Sequence, residues 1–119
     1  MKKSNYIAGQ WVEGTSSIKN INPSDTSETI DEYTSCTDEQ FEQAIQSAAT
    51  AQREWEKVGI EKKSQILIKI GDELIQKSKK IGELLSREEG KPLNEGIGEV
   101  ERAGQQFQYY GSECLRLYG

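Results

Sequence analysis

The last third of the chain carries apolar and small residues at an unbroken spacing of three and four. This spacing predicts an α-helix, starting near Asn94, with one continuous stripe along its side. The stripe consists of Ile97, Val100, Gly104, Phe107, Gly111, Cys114 and Tyr118. Because a glycine lets a neighbouring backbone approach closely, we expect this helix to pack tightly against another helix or a sheet.

An earlier helix is predicted to begin at Thr37 and to end at Gly59. Thr37 and Gln40 have the spacing of a capping box, in which the hydroxyl accepts from a backbone N–H and the amide side chain reaches back. Cys36 is placed to pack on Phe41 as a hydrophobic staple. Helical spacing predicts one buried stripe on this helix, formed by Phe41, Ala44, Ile45, Ala48, Ala49 and Trp55.

A further helical stretch is predicted from about Glu61, with a break near Ser78. Its apolar face is expected to hold Ile66, Leu67, Ile70 and Leu74 before the break, and Ile81, Leu84 and Leu85 after it. Gly90, with Pro92 two residues later, predicts the helix end because glycine adopts the left-handed conformation without penalty.

The first third of the chain is punctuated by turn formers, with short β-type runs between them. The runs are Tyr6–Val12, Ser17–Ile21 and Glu28–Thr34, and we interpret them as a β-hairpin followed by a third strand. The sequence therefore predicts an α+β chain, with strands in residues 1–36 and helices in residues 37–119.

Composition excludes several classes of function. The net charge of −5 argues against a nucleic-acid partner, because binding to phosphates needs clustered lysine and arginine. No apolar run approaches the roughly 18 residues of a membrane span, and the start of the chain lacks the apolar segment of a secretory signal. We therefore expect a cytoplasmic protein with no membrane partner.

The residues alone reveal no active site. The chain has no histidine, so the usual base for a serine or cysteine nucleophile is missing, together with the commonest zinc ligand. Cys114 lies on the apolar stripe and Cys36 at a strand end, which favours structural roles for both. Gly96-Ile97-Gly98 is half of a dinucleotide fingerprint, without its third glycine or a preceding strand.

Several short motifs in register resemble the opening of the aldehyde dehydrogenase superfamily. They are Tyr6–Val12 followed by Ile21-Asn22-Pro23, then Leu84–Pro92, Gly98-Glu99-Val100 and Tyr109-Tyr110-Gly111. Within that family, the segments 20–25, 86–91, 95–99 and 111–117 are most similar to α-ketoglutaric semialdehyde dehydrogenases.

The resemblance implies a parent enzyme that oxidises a small-molecule aldehyde to the carboxylate with NAD or NADP. In that family a cysteine thiolate attacks the carbonyl, hydride leaves to the nicotinamide, and water hydrolyses the thioester. Neither Cys36 nor Cys114 occupies a matching context, so no catalytic or cofactor-binding residue carries over. This stretch then corresponds to the β-hairpin and outer helices of the α/β cofactor-binding domain. We expect it to be inactive alone and to bind no cofactor, and the parent to be a homo-oligomer.

The resemblance also implies one metal site. Some family members bind a structural monovalent cation through backbone carbonyls near the Asn-Pro turn and through the acid that precedes the Gly-Lys pair. By position these ligands would be Asn20, Ile21 and Glu88, with a further ligand missing. Oxygen ligands suit such a hard cation.

Two other classes of function remain open on the residues alone. A non-enzymatic module could self-associate or bind a partner helix through the stripe from Ile97 to Tyr118. A small metal or redox protein built on Cys36 and Cys114 would need ligands that the sequence does not supply.

Overall fold

The computed structural model describes residues 2–116 and forms two compact units, the first ending at Lys57 and the second beginning at Val58. The first unit contains β1 (Lys2–Lys3), β2 (Asn5–Ile7), β3 (Gln10–Val12), β4 (Ser16–Ile21), β5 (Thr29–Ser35) and α1 (Asp38–Glu56). The second contains α2 (Ile60–Gln76), α3 (Ser78–Glu89), α4 (Leu93–Glu113) and a 3₁₀ turn (Cys114–Arg116). The predicted α+β chain, mostly helical after its strands, is confirmed.

The strands form two small sheets. β5 pairs antiparallel with β4 and parallel with β1, and β2 pairs antiparallel with β3. The prediction of one strand over Tyr6–Val12 is wrong, because this run is itself the hairpin β2–β3. Ala8 and Gly9 have φ of 51° and 82°, so both central residues lie in the left-handed region that a tight two-residue hairpin turn requires.

The predicted capping box at the start of α1 is confirmed. The Gln40 N–H donates to the Thr37 hydroxyl at 3.2 Å, and the Thr37 N–H donates to the Gln40 side-chain oxygen at 3.0 Å. The helix ends at Glu56, earlier than predicted. Gly59 instead takes the N-cap position of α2, with φ of −60°, so it is not a left-handed helix end.

The apolar stripe of α1 is not buried, contrary to the sequence prediction. No residue of α1 is buried, and Phe41, Ile45 and Trp55 are 56%, 46% and 45% exposed. Within its own unit α1 contacts β2, which has three residues and is too short to cover a helix of 19 residues.

In the second unit, small residues bring α4 close to both α2 and α3. A Cβ added at Gly71 would lie 2.6 Å from the Gly104 carbonyl oxygen, and one added at Gly82 would lie 2.6 Å from the Ile97 Cα. We call the buried small residues at this contact the small-residue seam: Ser64, Gly71, Ser78, Gly82 and Ser86 with Gly96, Gly104 and Gly111. The predicted close packing of the last helix is therefore confirmed.

The apolar faces predicted for α2 and α3 do not form the contact with α4, because the small-residue seam takes that position. Because the small residues turn toward α4, Ile70 and Leu84 are 39% and 38% exposed, and Phe107 at the edge of the contact is 37% exposed. Val100 is the one buried apolar residue of α4 in the described chain. Tyr118 lies outside the described residues. The stripe residues Val100, Gly104 and Gly111 are buried within the second unit.

The small-residue seam predicts that replacing two different glycines by alanine changes the free energy of unfolding in opposite directions. Gly82→Ala forces the Cβ against the backbone of α4, so we expect the free energy of unfolding to fall by about 1–3 kcal/mol. Gly98→Ala is the matched control, because Gly98 lies exposed in α4 with nothing within 4 Å of its Cβ position. That variant should gain roughly 0.5–1 kcal/mol from the lower conformational entropy of its unfolded chain. Urea unfolding measures the free energy of unfolding of both variants. Equal changes in the two variants would contradict the close packing at the small-residue seam.

Candidate functional site

The turn between β4 and β5 is organised by Asn22, which is buried. Its side-chain amide donates to Glu28 Oε2 at 2.8 Å, and its Oδ1 accepts from the Ser24 N–H at 2.9 Å. The Asn22 N–H also donates to the Glu28 carbonyl at 3.1 Å. These bonds close the loop on itself. Nearby, the hydroxyl and N–H of Ser27 donate to Asp25, which lowers the pKa of that carboxyl.

A β-bulge lies directly before this turn, at the two residues predicted to supply carbonyl ligands. Asn20 pairs with Asp31 but Ile21 pairs with Thr29, so Ile30 is an extra residue in β5. Asn20 is half-buried and the Ile21 side chain is 46% exposed. A bulge bends the strand and re-aims the groups around it, and bulges are frequent beside functional sites.

The second predicted region is the end of α3. Gly90 has φ of 71°, as its sequence context predicts, and its N–H donates to the Ser86 carbonyl. The Lys91 N–H donates to the same carbonyl at 3.1 Å. Glu88 lies in the last turn of α3 and is half-buried. The left-handed glycine thus ends the helix one residue after Glu89 and turns the chain toward α4.

Lys91 joins the end of α3 to α4 through two carboxylates. Its ammonium lies 2.5 Å from Glu89 Oε2 and 2.6 Å from Glu99 Oε1, and its side chain is only 16% exposed. The hydrogen bonds that Lys91 donates to Glu89 and to Glu99 raise the pKa of Lys91 above its ordinary value of 10.5. Neither Lys91 nor Asn22 is among the predicted site residues, although an asparagine before a proline is a turn signal with a known mechanism.

The predicted cation ligands are divided between the two units, with Asn20 and Ile21 in the first and Glu88 in the second. Among residues 2–116, no group of three or more His, Cys, Asp or Glu side chains could hold a metal ion. That result does not address a shell made chiefly of backbone carbonyls. The cation site therefore stays a prediction.

The remaining candidate residues have structural positions. Gly96 is buried in α4, where an added Cβ would collide with the Ser86 hydroxyl and the Gly82 carbonyl, so it serves helix packing and does not fit a phosphate cradle. Cys36 is exposed and lines a small cavity beside Phe41, and Cys114 is half-buried at the end of α4.

Comparison with known proteins decides the family. The model of the aldehyde dehydrogenase family matches residues 11–119, which is nearly the whole chain. The chain belongs to the aldehyde dehydrogenase family.

Two relatives and one solved structure illustrate this membership. The α-ketoglutarate semialdehyde dehydrogenase of Haloferax volcanii is 32% identical over 117 residues, which are 97% of this chain and 24% of that protein. The mitochondrial succinate-semialdehyde dehydrogenase of Arabidopsis thaliana is 31% identical over 121 residues, covering 100% of this chain and 23% of that protein.

The crystal structure of an NAD-dependent benzaldehyde dehydrogenase from Corynebacterium glutamicum superimposes with a TM-score of 0.90 and 29% identity. The match covers 98% of this chain and 26% of that one. This chain therefore spans about a quarter of the length of the family members that it matches.

Within the described residues, each helix is too short or too polar to cross a lipid bilayer.

The position of Lys91 predicts a pH-dependent contribution to stability. Because its pKa is raised in the folded chain, its charge stabilises the fold fully below the unfolded pKa near 10.5, and that contribution is lost as the pH rises through the folded pKa. We expect Lys91→Gln to lower the urea midpoint at neutral pH, and the difference from the unaltered chain to shrink above pH 10.5.

Lys79→Gln is the matched control for this prediction, since Lys79 is an exposed lysine of α3. It should change the midpoint little at either pH. A difference for Lys91→Gln that does not decrease at alkaline pH would contradict the role of its charge.

Proposed function

We propose that this chain is the amino-terminal part of an NAD- or NADP-dependent aldehyde dehydrogenase that oxidises an aldehyde to the carboxylate. The observation that supports it most strongly is the superposition on the Corynebacterium glutamicum enzyme, which holds over 98% of this chain at a TM-score of 0.90. The family match over residues 11–119 supports the same assignment.

Within such an enzyme, the chain would act as a scaffold of the cofactor-binding domain and not as the reaction centre. Covalent catalysis on an aldehyde needs a thiolate nucleophile and donors that stabilise the oxyanion. Cys36 is exposed beyond the end of β5 and Cys114 is half-buried at the end of α4, and we infer that neither thiol is the nucleophile. The longer protein would then supply the nucleophile, the nicotinamide site and the aldehyde pocket.

For the substrate, we propose α-ketoglutaric semialdehyde. The motifs of segments 86–91 and 111–117 and the 32% identity to the Haloferax volcanii enzyme support it. The Arabidopsis succinate-semialdehyde enzyme, at 31% identity, makes succinate semialdehyde the next candidate. We further propose that the longer enzyme is a cytoplasmic homo-oligomer.

The activity is tested on a chimera in which residues 11–119 replace the corresponding quarter of the Haloferax volcanii enzyme. We expect the chimera to reduce NAD or NADP with α-ketoglutaric semialdehyde, and the 119-residue chain alone to reduce neither. The Gly98→Ala chimera should keep the activity, whereas the Gly82→Ala chimera should lose it at a lower urea concentration than the unaltered chimera. A folded chimera that reduces neither cofactor with α-ketoglutaric semialdehyde, succinate semialdehyde or benzaldehyde would contradict the assignment.

We also propose that the longer enzyme binds a monovalent cation with the backbone carbonyls of Asn20 and Ile21 and the carboxylate of Glu88. The bulge at Asn20 and Ile21 supports the proposal, because it removes these residues from regular ladder geometry. Carbonyl and carboxylate oxygens are suitable ligands for a hard cation.

If this cation site exists, potassium or sodium chloride should raise the thermal midpoint of the chimera more than N-methylglucamine chloride at equal ionic strength. Ligand binding to the folded state alone produces such a shift. Glu88→Gln should abolish the difference, while Glu89→Gln, one position away on α3, should keep it. Identical midpoints in all three salts would disprove the site.

A further inference from the structure

We draw no further inference here: the strongest candidate, the apolar cavity of about 470 Å³ along α2 and α3 that is lined by Ile66, Ile70, Leu74 and Ile81, is an unpartnered face of a chain that spans about a quarter of its relatives, and nothing in the structure shows what covers it.

Discussion

The second unit depends on the close approach of α4 to the backbones of α2 and α3. At Gly71 and Gly104 each glycine occupies the space that a side chain on the other would need, and Gly82 lies directly against Ile97. Dispersion attraction between many atoms at short range, and not the burial of large side chains, holds such a contact together. Only Ile7 and Val100 are buried apolar residues in the described chain.

Local signals in the sequence predicted several of the element boundaries. The capping box of Thr37, the break near Ser78 and the left-handed Gly90 are each determined by a few neighbouring residues, and all three are confirmed. The wrong predictions concern which helix faces are buried against other elements. Helical spacing identifies an apolar stripe, but the partner decides whether that stripe is covered. Ile70 and Leu84 are exposed because glycines and serines form the contact with α4.

The candidate site was predicted less completely, for a related reason. The motifs drew attention to the turn at Asn22 and to the end of α3, yet the side chains of Asn22 and Lys91 bond to partners six and eight residues away, Glu28 and Glu99. The hairpin in Tyr6–Val12 was missed because its turn contains Ala8, which rarely adopts a positive φ. Spacing along the chain does not reveal such pairings.

The small-residue seam also inverts the usual relation between residue size and tolerance to mutation. In an ordinary core the large apolar residues are the least replaceable, because removing them leaves a cavity. Here the large residues of α2 and α3 border solvent, while each seam glycine admits nothing bigger than hydrogen. Any missense change in a glycine codon adds a side chain. Missense substitutions in this part of the molecule are therefore expected to be most destabilising at Gly71, Gly82 and Gly104, the positions that contribute least to its mass.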